Sequence, residues 1–408
     1  MSKYHLSPSI ESIIKNNSGK TYYFDNNSTT LIHNNEILIG INNWLSCGNP
    51  SNVLHQSGQL AHQQIDKCRR LLANHMKCAM NEVYFTSGAT ESNNIVIQGI
   101  INYLIKSDNN FTIITSSFEH PSVMNIFNKF KEIQKIEILT IDPSLNKYDD
   151  FYGTINPISL ENIIKNAKYP VKFMTIMFAN NETGAMQNIK EIGKLAKKYN
   201  IFFHSDTTQA FGKFKICPKL LNIDALSFSA HKFHGPKGIG GLYLNQNKLI
   251  CNPLYFGGEQ EKKLKPGTEN VALITGCCLS LYYAHENRTH KNNYILNLKK
   301  HIINKLRENH IDFELIGASI DKTLPNTLLI KFNKLINNIN FAEYLNKNNI
   351  MISIGSACQT GHNSHVLNSY KIKVIDKIKI IRISLSEHNT IDEVNYLIKH
   401  LINGSKLY

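Results

Sequence analysis

The sequence predicts an α/β protein: a large domain with a mostly parallel seven-stranded sheet flanked by helices, then a smaller α+β domain. Three observations carry this reading. From Tyr22 to about Val271, short β-rich runs alternate with amphipathic helical stretches, which is the pattern of strands joined by crossover helices. After Val271 the texture changes to a long helical region followed by sparser strands. The 408 residues are 42% hydrophobic and 19% charged, enough apolar material to build cores for two or three structural units.

Taken in order, the large domain covers 22–271. Strands are expected at 82–86, 111–115, 136–141, 173–178, 201–204, 225–228 and 241–244, each rich in Ile, Phe, Tyr, Val, Leu or Thr. Amphipathic helices are expected at 57–72, 90–105, 122–131, 160–166 and 188–198. The small domain covers 272–408 and is completed by residues 1–21. It reads as a helical region over 272–308, strands at 313–316 and 327–332, a helix at 342–348 and a strand at 351–354. A polar loop, a strand at 380–385 and a final helix at 391–402 follow. No internal repeat or long linker interrupts the chain.

Lys and Arg number 45 and Asp and Glu 31, a net charge of +14. The basic residues are spread along the chain, as at Lys299, Lys300, Lys371 and Lys373, and no basic run interleaves with aromatics, so no nucleic-acid partner is expected. No apolar run reaches the roughly 18 residues of a membrane-spanning helix, and the first twenty residues lack a secretory pattern. A cytoplasmic, membrane-free protein is expected. Eight cysteines in a chain of this length do not make a disulfide framework. Cys277 and Cys278 read as core, and Cys47, Cys68, Cys78, Cys217 and Cys251 have neither a CxxC partner nor zinc-like spacing.

Ligands of parallel sheets sit beyond the carboxyl ends of the strands, so the residues just after each strand carry the most information. Ser87-Gly88-Ala89-Thr90 follows the first strand and opens a helix, where free N–H groups and the helix dipole favour an anion. Alone, it reads equally as an ordinary helix cap. His120, Asn181, Asp206 with Gln209, and Ser229-Ala230-His231-Lys232 follow four other strands. One such residue is unremarkable in a loop, but four converging on one sheet edge suit pyridoxal 5'-phosphate. A lysine condenses with the cofactor's aldehyde, an aspartate holds its ring nitrogen protonated, an aromatic or His covers the ring, and a helix N-terminus takes the phosphate. Lys237, within Gly235-Pro236-Lys237-Gly238-Ile239-Gly240, is a decoy. No Ser or Thr follows it at P-loop spacing, so the stretch reads as a tight turn.

These segments resemble the cysteine desulfurases of the NifS/IscS type, in the class-V aminotransferase group of fold-type I enzymes. The matching stretches are YYFDNNSTT (22–30), GNPSNVLHQSG (48–58), VYFTSGATESNN (83–94), FEHPSV (118–123), FANNETGAMQ (178–187), HSDTTQAFGK (204–213), SFSAHKFHGPKGIGGLY (227–243), KPGTENV (265–271), LPNTL (324–328) and GSAC (355–358). They run in family order over nearly the whole chain. The resemblance implies that Lys232 carries the cofactor, Asp206 holds its ring nitrogen, and Gln209 and Asn181 lie near its phenolic oxygen. It implies that His120 stacks on the ring and moves protons, and that Ala89, Thr90, Ser229 and His231 bind the phosphate. Thr268 from a second subunit would complete that phosphate site, implying a homodimer. Arg382, with Asn181, would bind the carboxylate of L-cysteine, a bidentate task for which Lys is a poor substitute.

Cys358 lies in a polar, Gly-containing stretch after a strand. A lone Cys is more often buried and structural, but a polar loop offers the exposure that a nucleophilic thiolate needs. By resemblance it takes sulfur from cysteine as a persulfide, releasing L-alanine, for transfer to an acceptor protein such as one in iron–sulfur cluster assembly. Selenocysteine lyase chemistry, or another β-elimination, is the alternative. A non-enzymatic partner-binding relative is a third reading. No metal is expected, because Cys358, His362 and His365 lack an evident fourth ligand. The chain departs from the family pattern at Glu259 within Gly257–Glu261, at Lys265 where Arg is expected, and at Ser386-Glu387 where Gly-Arg is usual.

Overall fold

The computed structural model describes residues 21–107, 110–133, 135–245, 247–248, 251–354 and 364–405. Seven strands form the large sheet: β2 (Val83–Thr86), β3 (Phe111–Ser116), β4 (Ile136–Ile141), β5 (Val171–Thr175), β6 (Phe202–Asp206), β7 (Ala225–Ser229) and β8 (Gly240–Leu244), in spatial order β2-β8-β7-β6-β5-β3-β4. From β7 to β4 the neighbours are parallel, while β8 runs antiparallel to both β2 and β7. The mostly parallel sheet expected from the alternating pattern is therefore present. Successive residues feed opposite faces, as a pleated strand demands. Met174, Phe203 and Leu226 enter one core with the helix Gln56–Met76, and Phe173, Phe202 and Ala225 enter another with the helix Ala89–Ser107.

A second region has an antiparallel sheet, β12 (Ile380–Ser384), β10 (Thr327–Phe332) and β9 (Phe313–Leu315), backed by the helices Arg288–Glu308 and Ile391–Gly404. Its core also receives Phe24, because β1 (Tyr22–Tyr23) pairs in parallel with β11 (Ile350–Met351). Tyr22 and Phe24, assigned from sequence to the large domain, thus pack with the second core. Backbone bridges between Asp25 and Ser384 and between Ser353 and Arg382 knit these short strands together.

Several boundaries differ from the sequence reading for identifiable reasons. The strand expected at 173–178 ends at Thr175, because the Met177 N–H donates to the Glu119 carboxylate instead of a ladder partner. The strand expected at 201–204 runs to Asp206, so that aspartate belongs to the strand and pairs with Ser227. The helical region 272–308 is two helices, Val271–His285 and Arg288–Glu308, broken where Asn287 adopts φ 51°, a left-handed conformation that Asn tolerates. The helix Asn35–Trp44 was missed; Asn34 caps it by accepting from the Glu36 N–H. Two residues beyond the departing Glu259, the segment is anchored by Arg69, which donates to both Glu261 carboxylate oxygens, at 2.7 and 2.9 Å. Among the described residues no helix is long and apolar enough to cross a membrane.

Candidate active site

The carboxyl ends of β2, β6 and β7 open on a cavity of about 230 Å³. Lys232 ends a short 3-10 turn, Ala230–Lys232, directly after β7. Its Nζ donates to the carbonyls of Asn27 (2.6 Å) and Ser28 (2.7 Å). Burial, then the positive charges of Arg382 and Lys213, pull its pKa down from 10.5 to about 7, against the opposing pull of Asp25 and Asp206. A fraction of this amine is therefore unprotonated, and nucleophilic, at neutral pH.

Asp206 is buried at the end of β6, where one carboxylate oxygen accepts from Asn93 Nδ2 (2.9 Å) and the other from the Thr208 N–H (2.9 Å). The same Asn93 amide donates to Ser122 Oγ (3.0 Å), which lies 2.8 Å from His120 Nδ1. His120 caps the helix Pro121–Phe130, its Nδ1 accepting from the Ser122 N–H at 3.1 Å. With Nδ1 accepting, the neutral ring keeps its proton on Nε2. Burial, then Lys232 and His365, hold the imidazole pKa below 6.5, while Asp206 acts the other way. Asp206 and His120 are thus the two ends of one hydrogen-bonded line through Asn93 and Ser122.

Arg382, on β12, brings the second region to the cavity. It is 1% exposed and donates to Asp25 Oδ1 (2.8 Å), Ser28 Oγ (2.7 Å) and the Asn181 carbonyl (3.0 Å). Its Nε has no protein partner. Gln209 donates to the Asn27 carbonyl at 3.0 Å, while its Oε1 and the Thr208 hydroxyl are buried without a partner. An adjoining recess of about 350 Å³ is shaped by Gly88, Ala89, Thr90, Ser229, His231 and Lys237 at the N-terminus of the helix Ala89–Ser107. Ser229 Oγ accepts from the Ala89 N–H at 2.7 Å. Gly88 has φ +150°, and a Cβ there would stand 3.2 Å from Ser229 Oγ, so side-chain-free backbone lines the recess. Burial, then Lys232 and Lys237, lower the His231 pKa to about 4.

Of the residues singled out from sequence, Ala89, Thr90, His120, Asn181, Asp206, Gln209, Ser229, His231, Lys232 and Arg382 all line this cavity. Thr268 does not; it is exposed. Cys358 and His362 lie outside the described residues. The described neighbours of that stretch meet the site. Ser353 exchanges backbone hydrogen bonds with Arg382 (3.1 and 2.7 Å), Ser364 donates to Glu182 (2.7 Å), and His365 Nε2 lies 2.6 Å from the Glu119 carbonyl. Asn27, Ser28, Asn93 and Ser122 were missed as site residues. Asn27, Ser28, Asn93 and Ser122 stand inside segments that carried the resemblance, and the neighbouring functional side chains were the available signal. Lys237, set aside as a decoy lysine, lines the adjoining recess.

The class-V aminotransferase model matches residues 22–397. The chain belongs to this family. Within it, the chain is similar to the cysteine desulfurase IscS of Methanosarcina thermophila, 35% identical over 93% of this chain and 91% of that one. A putative cysteine desulfurase of Bacillus subtilis is 34% identical over 88% and 92% of the two chains. Among solved structures, a NifS-like protein superposes with TM-score 0.85 at 28% identity, covering 95% of this chain and all of that one. These class-V relatives bear out the NifS/IscS resemblance and the fold-type I architecture.

Proposed function

We propose that this protein is a pyridoxal-phosphate-dependent cysteine desulfurase that converts L-cysteine to L-alanine and passes the sulfur to Cys358. The observation that carries the proposal is the meeting of Lys232, Asp206, His120 and Arg382 around one cavity beside an anion recess. The residues fit the cofactor. Unpartnered buried acceptors at Gln209 and Thr208, a carboxylate at the end of β6 and side-chain-free backbone beside Ser229 offer the three kinds of contact it needs. When bound, pyridoxal phosphate supplies an electron sink for charge developing on the substrate's carbons.

The chain's own residues do the rest. Lys232 is the amine that would hold the cofactor and would carry a proton to or from the substrate carbon. Asp206, held by Asn93 and Thr208, would keep a proton on the ring nitrogen. His120 holds a donatable proton at Nε2 while remaining neutral. Ala89, Thr90, Ser229, His231 and Lys237 would hold the phosphate, and Asn181 and Gln209 would lie near the ring's phenolic oxygen. Arg382 receives the substrate carboxylate through its unpartnered Nε, its fork oriented by Asp25 and Ser28. The Cys358 thiolate attacks the substrate sulfur, the carbon–sulfur bond breaks towards the carbon, and a protonated alanine leaves a persulfide on the enzyme. Thr268, exposed in its own chain, would complete the anion recess of a second copy, so the active form is a homodimer. The persulfide would then serve a sulfur-acceptor protein.

The test is absorbance of the purified protein before and after L-cysteine, with alanine quantified and L-selenocysteine run in parallel. Cofactor absorbance that shifts with cysteine, with alanine formed and lost in Cys358→Ser, is the expected result. Turnover of selenocysteine alone, or unchanged desulfuration by Cys358→Ser, would overturn it.

A further inference from the structure

Away from the cavity, three histidines from distant parts of the chain meet. His33 lies just before the helix Asn35–Trp44, His234 two residues beyond Lys232, and His388 in the turn between β12 and the helix Ile391–Gly404. One ligand nitrogen from each lies within 4.8 Å of the others, with His234 half-buried and the outer two exposed. The rings of His33 and His388 stack with centroids 4.0 Å apart, and His234 stands 4.9 Å from His388 and 5.6 Å from His33. Among the described residues, no other group of three metal-ligating side chains converges in this way.

A second, independent observation concerns what holds His234. Its Nδ1 lies 2.8 Å from the Leu31 carbonyl. A carbonyl only accepts, so Nδ1 carries a proton. That Nε2 faces a carboxylate oxygen of Glu387 at 3.3 Å. A carboxylate also only accepts, so a cation must sit on Nε2 between the two: a proton, or a metal ion in its place. A ring N–H anchored on a backbone carbonyl, with the other nitrogen turned to the site, is also how metal-ligating histidines are oriented. The third fact is the sequence context: Glu387 belongs to the Ser386-Glu387 pair that replaces the family's usual Gly-Arg, and His388 follows it directly.

We propose that His33, His234 and His388 bind a divalent transition-metal ion of the zinc class, with Glu387 as the adjacent carboxylate. Imidazole donors suit zinc, copper and nickel and not calcium or magnesium. Tetrahedral zinc with Zn–N bonds of ~2.0–2.1 Å brings its nitrogens to about 3.3 Å from one another. Rotation of the two exposed rings closes that distance from the present spacing. The ion would act as a clamp and take no part in the chemistry. The His234 N–H donates to Thr30 Oγ1 (2.7 Å), and Thr30 donates twice to the His231 carbonyl (2.8 and 3.0 Å). His33 and His234 thus belong to the strap that holds Lys232, and His388 to the turn six residues after Arg382. A metal shared by all three ties the lysine side of the cavity to its arginine side.

The experiment uses the full chain with its cofactor, stripped with a chelator and titrated with Zn²⁺ by calorimetry while thermal melting is followed. One zinc per chain and a raised melting temperature are expected. The double variant His33→Ala/His388→Ala should weaken binding by more than about 100-fold, and Glu387→Gln by roughly 10–100-fold. Cys358→Ser should leave the stoichiometry unchanged. Both histidines are exposed and lie outside the cavity, so metal-free melting and turnover of the double variant should match the parent, which verifies its fold. Absence of zinc binding, equal binding by the double variant, or loss of the site in Cys358→Ser would each refute the proposal. None of these readouts depends on desulfurase activity.

Discussion

Burial pulls the ammonium of Lys232 and that of Lys299 from an ordinary 10.5 down to about 7. Each Nζ donates to two oxygens at similar lengths: 2.6 and 2.7 Å to Asn27 and Ser28, 2.6 and 2.9 Å to Thr323 and Leu324. Their surroundings differ. Lys299 is 2% exposed on the helix Arg288–Glu308, and burial is the whole cause of its shift. Lys232 borders a cavity, and four charged side chains adjust its shift: Arg382, Lys213, Asp25 and Asp206. A depressed lysine pKa therefore marks a desolvated amine wherever it occurs. A reactive one also needs space for a partner and convergent groups that act on that partner.

The comparison can be broken most directly by removing each lysine. Lys232→Ala should abolish both alanine formation and the cofactor's absorbance, whereas Lys299→Met should keep both; loss of turnover in the second variant would erase the distinction. Next in size is Arg382→Lys. It keeps the charge but loses the fork, and charge-assisted hydrogen bonds of ~1.5–3 kcal/mol predict a roughly 10–100-fold fall in kcat/KM, seen mainly as a higher KM in steady-state kinetics. Asn93→Ala removes the link between Asp206 and His120, and ~1–2 kcal/mol predicts a loss of about 5–30-fold. Its pH–rate profile should shift, which a purely structural defect would not produce.

The remaining effects are those of pH. The folded chain holds both lysines neutral above about pH 7, while the unfolded chain keeps them protonated up to about 10.5. Unfolding therefore takes up protons in that window, and stability rises with pH across it, being lost as pH falls back through about 7. For Lys299 alone, the stability difference between the parent and Lys299→Met should move in the parent's favour by at most about 1.4 kcal/mol per pH unit above pH 7. Denaturant unfolding at pH 7 and pH 9 reads this directly. For Lys232 the same shift predicts that cofactor uptake by the stripped protein quickens as pH rises through about 7, measured by stopped-flow absorbance.

Much of the site was legible because strand ends are legible. His120, Asp206 and Ser229 each stand where an apolar run stops, and β-sheet geometry brings such positions to one edge. The sequence was less informative where a side chain displaced a backbone partner. Glu119 takes the Met177 N–H and ends β5 early, and nothing near residue 177 announces it. Asn287 likewise looked like one more helical position until its left-handed φ divided the long helix.

By itself the sequence determined the order of the sheet strands, the chemical inventory at the sheet edge and the match to a desulfurase family. These follow from local periodicity and residue type. Only the tertiary structure decided which groups touch. It joined Asp206 to His120 through Asn93, brought Arg382 across from the second region, left Thr268 facing away, and set His33 and His388 beside His234. The physical reason is that desolvation and hydrogen-bond distance depend on groups up to hundreds of residues apart in the chain. Their effect on a lysine's proton is felt only once packing has removed the water between them.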